Sequence, residues 1–360
     1  MTSRILVTGG AGFIGSYLTR RLLRDGHHVV VLDDCSTGDR ANLPRSSTLE
    51  FREGCVCSPS DVRDAAGSVD LVVHLAGVVG VRLAHAARER AHRVAVDGTR
   101  NVLDASGSAP IALFSSSAVY GLEAPLASER GPLSVAGALA IDGGEPGYAV
   151  GKFELEQQAF AAARRGRSVL VLRPFNVVGP GQVSSYGMVM PSFLQQAIRG
   201  EPLCVYDDGR QTRSFSEVNT FIECVISLLT RTSCWAAEDN VVNVGTCEAT
   251  AIGDLARLVI AETGSRSALE YVPFSTVFPG RRDVRARHPD ASRLTRMLGE
   301  VRWPRARDIV RMCVAASQGD STALSAQHTF PRSWPSDRRT RAAVLPPISA
   351  MGASVHATAP

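Results

Sequence analysis

The stretch ILVTGGAGFIGSYLTRRLLRDGHHVVVLDD, residues 5–34, reads as strand, glycine turn, helix and strand. It opens on a β-branched run, turns through glycines at 9, 12 and 15, and continues with Ile14, Leu18 and Leu22 at helical spacing. Gly26 supplies a helix stop, VVVL at 29–32 reads as a second apolar strand, and Asp33 ends it. Glycines so placed allow a tight turn and let the backbone approach a pyrophosphate, whose charge then sits at the positive end of the helix. A carboxylate one helix length further on can accept hydrogen bonds from both ribose hydroxyls of an adenosine. Asp34 is the neighbouring alternative, and the spacing favours Asp33. The same negative charge repels a 2′-phosphate, so the expected cofactor is NAD rather than NADP.

The rhythm of that unit repeats. LVVHLA at 71–76, IALFSS at 111–116 and SVLVLR at 168–173 are further apolar runs separated by longer amphipathic segments. Near-continuous apolar strands alternating with helices predict α/β architecture, a doubly wound parallel sheet of Rossmann type. From about residue 176 the pattern loosens into Gly/Pro-punctuated stretches, then helix-like 221–229, a strand at 241–245 and helix-like 252–264. The expected organisation is a dinucleotide-binding domain over 1–175, with 215–250 returning to it, and a discontinuous, smaller α/β substrate domain over 176–314. Residues 315–360, rich in Ser, Ala, Pro and Arg without periodicity, read as a disordered tail.

Composition narrows the class. The chain has 360 residues, 44% hydrophobic and 21% charged, and no apolar run approaches the roughly 20 residues of a membrane span. The N-terminus enters a strand at once, with no room for a signal-peptide core, so a cytoplasmic location is expected. The net charge of +4 comes partly from arginines within 281–311, with no basic stripe interleaved with aromatics. Nucleic-acid binding therefore has little support, whereas local arginines suit a phosphorylated small molecule. Eight scattered cysteines fit neither a zinc pattern nor a secreted disulfide framework, so buried thiols and no metal are expected.

The segment GYAVGK, 147–152, holds the only lysine of the chain; its other 38 basic residues are arginines. Tyr148 and Lys152, four apart on a predicted helix, project from one face. A tyrosine is a poor base at neutral pH, and a cation beside it eases its ionisation. Lysine does this as a compact charge whose donors can also hold ribose hydroxyls, a role that the wider, planar arginine head fills poorly.

With TGGAGFIG at 8–15, VLDDCSTG at 31–38, HLAG at 74–77, GTRNVL at 98–103, SSSAVYG at 115–121, YAVGK at 148–152, RPFNVVGPGQ at 173–182 and DGRQTRSF at 208–215, the chain resembles the extended short-chain dehydrogenase/reductases. Within them it is similar to the NAD-dependent nucleotide-sugar epimerase/dehydratase group. The resemblance implies a catalytic set of Ser116, Tyr148 and Lys152. It implies cofactor contacts from Gly9, Gly12, Phe13, Ile14, Gly15, Asp33, Ser36, Thr37, Gly38, Val56, Leu75, Ala76 and Gly77, and from Tyr148 and Lys152. For a nucleotide-diphosphate sugar it implies Ser116, Ser117, Asn176 near the diphosphate, and Arg213 on a phosphate. It also implies a homodimer built through helices around 84–105 and 148–165.

Several positions depart from the family pattern. Ser117 and Ala118 follow the triad serine where dehydratases and decarboxylases usually carry an acid. That argues against dehydration and uronate decarboxylation and leaves 4-epimerisation through a 4-keto intermediate as the expected reaction, with a nucleotide-sugar oxidoreductase, a dehydratase or a non-catalytic NAD-binding protein as alternatives. Ala95 stands where an Asn is usual, and Gly151 where a Ser usually precedes the lysine. The stretch VAGALAIDGGEPG, 135–147, reads as a long glycine-rich loop able to form part of a sugar pocket.

Overall fold

In the computed structural model, which describes residues 2–122, 124–235 and 240–319, the opening stretch forms the expected unit. Arg4–Thr8 is β1, Phe13–Arg24 is α1 and His28–Asp33 is β2. The two strands pair in parallel, Ile5 opposite Val29 and Val7 opposite Val31. Leu18 and Leu22 are buried, Ile14 packs against the same cluster, and Gly26 follows the helix end at φ 88°.

Five more strands complete the sheet: β3 (Leu49–Glu53), β4 (Leu71–His74), β5 (Ile111–Phe114), β6 (Val169–Pro174) and β7 (Val241–Val244). Their spatial order is β7-β6-β5-β4-β1-β2-β3, every pairing parallel. This is the doubly wound Rossmann sheet. Its order reverses between β1 and β4, where connections leave to opposite faces and open a crevice at the carboxyl ends of the strands.

Alternating side chains serve the two faces. Ile5 and Val7 join a cluster with α1 and the helix Val218–Leu229. Leu6 joins another with α2 (Pro59–Ala66), α3 (Arg88–Ala105) and, after α4 (Val135–Asp142), α5 (Tyr148–Arg164). Each fully buried Leu or Val contributes about 1.5–3 kcal/mol by leaving water. A separate cluster between Val178 and Val310 encloses Phe193, Leu255 and Ile309. A four-stranded sheet, ordered Thr250–Ala251, Thr212–Arg213, Ala286–Pro289, Leu126–Ala127, stands beside the crevice.

Two elements differ from expectation. β3 is an edge strand whose Glu50 pairs with Arg4 and Arg52, so its polar LEFRE sequence hides the strand. The supposed glycine-rich loop holds α4: Ser134 Oγ accepts from Gly137 N, and Gly143 ends the helix in the left-handed region at φ 81°. Of the expected tail, residues 315–317 finish the helix Ala306–Ser317, and 320–360 lie outside the described residues. Among the described residues no helix is long and apolar enough to cross a membrane, and no cluster of metal-ligating side chains occurs.

Candidate active site

A cavity of about 560 Å³ fills the crevice, and every sequence-predicted site residue except Gly38 lines it. Gly38 packs behind the glycine turn, where a Cβ would lie 2.8 Å from Ala11 C. The turn itself admits no side chains. A Cβ on Gly9, at φ 71°, would meet Ala76 N at 2.7 Å, and one on Gly15 would meet Gly10 Cα at 2.8 Å. Gly12 precedes α1 with no side-chain cap and no acid in the first turn, leaving main-chain donors for an anion. Asp33 is buried and accepts from Ala11 N and Cys35 N, both at 2.9 Å. Burial pushes its carboxyl above the usual range. Asp34 instead turns out to Arg90 at 3.1 Å. A pyrophosphate cradle with an acid at the adenosine ribose end fits NAD.

Residues 181–188 cross this groove. The backbone of Tyr186 accepts from Arg82 N at 3.2 Å, and its hydroxyl donates to Thr37 O at 3.2 Å, so one residue ties the short helix Val81–Ala86, after β4, to the loop after β2. The crossing needs Gly80, at φ 112°, where a Cβ would sit 2.5 Å from Tyr186 Cβ. Nothing in the local sequence singles out Tyr186.

At the other end of the cavity, Tyr148 begins α5 and Lys152 follows one turn later. Ser116 caps the turn Ser117–Tyr120, accepting from Ala118 N at 3.1 Å, and its hydroxyl bonds the Tyr148 phenol. Burial raises the phenol's pKa; the Ser116 bond and the Arg287 cation oppose it, and the Asp142 carboxylate adds to it. Lys152 Nζ donates to Phe114 O at 2.6 Å, turned toward the end of β5. Burial brings the ammonium down to about 8, against the opposing pull of Glu156. Among the charged groups acting on Tyr148 are Arg287 and Asp142.

Neither was predicted. Asp142 ends α4 and caps α5, its two oxygens accepting from Ala149 N at 3.1 Å and Val150 N at 2.9 Å. Arg287 stands opposite Arg213 on paired parallel strands. The Arg213 guanidinium is committed to Asp283 at 2.9 Å and to the Val284 carbonyl at 2.6 Å. Among the described residues Arg287 hydrogen-bonds only the Gly121 carbonyl, at 2.5 Å from Nη2, and its buried Nε has no partner. Burial and the Arg213 charge push it down to about 9, so it remains a cation at neutral pH under strong pressure to find an anion. Its signal, the arginine-rich RRDVRAR at 281–287, reads in sequence only as net charge. Asn176, at φ 35°, donates to Ser214 O at 2.8 Å.

Two departures from the family pattern meet each other. A Cβ on Gly151 would lie 3.0 Å from Ala95 Cβ and 3.2 Å from His92 Cα, so α3 and α5 approach closely where both residues are small.

Comparison with known proteins agrees with this architecture. A family model described as NAD dependent epimerase/dehydratase matches residues 5–245. The chain is 30% identical over 302 residues to a UDP-N-acetyl-alpha-D-glucosaminuronate decarboxylase of Bacillus cytotoxicus, covering 82% of this chain and 92% of that one. It is 30% identical to UDP-glucuronic acid decarboxylase 1 of Danio rerio, covering 82% and 68%. Among solved structures it is similar to MoeE5 in complex with UDP-glucuronic acid and NAD, at 27% identity and TM-score 0.75, covering 88% and 99%. It is also similar to UDP-glucose 4-epimerase from Thermotoga maritima, at 25% identity and TM-score 0.76, with the same coverage.

Proposed function

Because the chain belongs to the NAD-dependent epimerase/dehydratase family, we propose that this nucleotide-sugar enzyme takes a nucleotide-linked uronic acid and, after oxidation at C4, releases its carboxyl group. The observation that carries the reading is Arg287: a buried cation with an unpartnered Nε, acting on Tyr148 from within the cavity. A neutral hexose offers that guanidinium no charge, whereas a sugar carboxylate pairs with it. The decarboxylases among the relatives, at 30% identity over most of their length, point the same way.

When bound, NAD supplies the acceptor and then the donor of hydride at C4. The residues of this chain handle protons and position. Tyr148 Oη, as phenolate, takes the proton of the sugar 4-hydroxyl, aligned by Ser116 Oγ, and gives it back as the C4 ketone is reduced. Arg213 and Asn176 are read as the residues that take the diphosphate. Arg287 holds the carboxylate of a sugar that, once a ketone at C4, is a β-keto acid. The C5–C6 bond then breaks, carbon dioxide leaves, and C5 takes up a proton.

A second reading is 4-epimerisation of the same uronate. Ser117 and Ala118, in place of the acid usual in decarboxylases, favour it: with no carboxylate directly after Ser116, return of hydride to the other face competes with carbon dioxide loss. The expectations of a cytoplasmic homodimer go with either reading and are checked by fractionation and sizing. Incubating the protein with UDP-glucuronic acid and, separately, UDP-glucose while following both by NMR tests the proposal. Turnover of the uronate alone is expected; turnover of UDP-glucose alone contradicts it.

A further inference from the structure

Directly beneath the site lies a buried charged network that neither reading uses. Glu156, fully buried on α5, accepts from Ser115 Oγ at 2.5 Å and from Arg173 Nε and Nη2 at 2.8 and 2.7 Å. Arg173 Nη1 donates to Tyr120 Oη at 2.7 Å, and Tyr120 donates to Asn243 Oδ1 at 2.7 Å. Five elements meet here: the end of β5, the turn after it, α5, β6 and β7. Stability alone is a weak reason for such a network, because a buried ion pair can often be replaced by well-packed apolar side chains without loss. Its position supplies another reason. Ser115 adjoins Ser116, and Glu156 lies one helical turn beyond Lys152, so the carboxylate and the ammonium share a face of α5.

We propose that Glu156 is a positioning residue for Lys152: its buried carboxylate keeps the Lys152 ammonium charged inside the protein. The inference rests on the reading of Lys152 as part of the proton-transfer set with Tyr148. The groups facing Lys152 can be taken element by element. From β5 comes the Phe114 carbonyl, which accepts from Nζ. From β4 comes His74, held between Thr8 Oγ1 at 2.7 Å and Thr99 Oγ1 at 3.3 Å. Burial and the lysine's own charge bring His74 down to about 3, so it is neutral and lends no charge. From α3, His92 pairs with Glu154 of α5 at 3.2 Å. On α5 itself stand Tyr148 and Glu156, and from β6 Arg173 reaches the carboxylate of Glu156. Glu156 is the one carboxylate among the described residues that pulls Lys152 toward its charged form, against burial.

Since Lys152 is the only lysine, isotopically labelled lysine gives a single side-chain signal from the full chain, and its titration can be followed by NMR without turnover. The wild-type midpoint is expected near about 8. Glu156→Gln removes the carboxylate and leaves the charge of Arg173 as it was, so the midpoint moves down, by about one pH unit. Glu156→Asp keeps the charge but withdraws it by one methylene, so its midpoint falls between the two. Coincident midpoints in wild type and Gln overturn the proposal, as does an Asp variant that falls as far as Gln, which would mark loosened packing rather than lost charge. Should the Gln variant not fold, an unmoved midpoint in Asp overturns it equally. Failure of the proton-transfer reading is seen separately, as full activity in Tyr148→Phe.

Discussion

Arg213 and Arg287 are register partners on adjacent parallel strands, yet among the described residues only Arg213 is in ion-pair contact with an acid, Asp283 at 2.9 Å. A buried guanidinium left with one carbonyl partner costs folding energy, and sites that keep such costs usually use them. Arg287→Met is therefore expected to leave stability unchanged or raise it, while lowering kcat/KM on the uronate about a hundredfold. Thermal melts and steady-state kinetics on the same variant check both halves. A variant that melts early and keeps its kinetics would assign Arg287 a structural role.

Tyr186 bridges two segments that line the cofactor groove, so its contacts are expected to set how long NAD stays bound. Tyr186→Phe loses the bond to Thr37 O and should release NAD several-fold faster, in line with about 1 kcal/mol for one hydrogen bond. Gly80→Ala must open the crossing altogether and should release it faster still. Cofactor retained after gel filtration, measured by absorbance, decides the matter; retention equal to wild type in Gly80→Ala contradicts the bridge.

His74 gives the fold an acid-side weakness. Its folded pKa of about 3 lies below its value of 6.5 in an unfolded chain, so between those limits the unfolded state binds more protons. Stability should rise with pH across that window, by up to about 1.4 kcal/mol per pH unit from this group. Denaturant titrations from acid to neutral pH should show a shallower slope in His74→Gln than in wild type; identical slopes would remove His74 as the cause.

Gly151→Ser restores the family's usual residue in a place too tight for it. Contact with Ala95 should cost about 1–3 kcal/mol, seen as a lowered Tm, and Ala95→Gly in the same chain should recover much of it. Independent, additive effects of the two changes would mean that they do not meet as described.

Much of the sheet was legible because buried parallel strands are written as unbroken apolar runs, as in VVVL and IALF. Edge strand β3 was not, since its Glu50 and Arg52 answer to surface ion pairs rather than to a core. The cofactor cradle was legible from glycine spacing, because backbone approach leaves a mark in residue type. α4 was masked by Gly137, Gly143 and Gly144, although its Ser134 cap and Gly143 stop were both present. Arg287, Asp142 and Tyr186 come from distant segments that only the fold brings to the cavity. Nothing in the local sequence sets Arg287 apart from the other arginines around it.

Whether Arg287 holds a sugar carboxylate that is lost after proton transfer at Tyr148 can be read from UDP-glucuronic acid labelled at its carboxyl carbon. By NMR the label is expected to appear as bicarbonate while a UDP-pentose accumulates, and both signals are expected to vanish in Tyr148→Phe. Label retained in a UDP-uronate of inverted C4 would contradict decarboxylation and leave 4-epimerisation. Label untouched while UDP-glucose is converted would contradict carboxylate recognition itself.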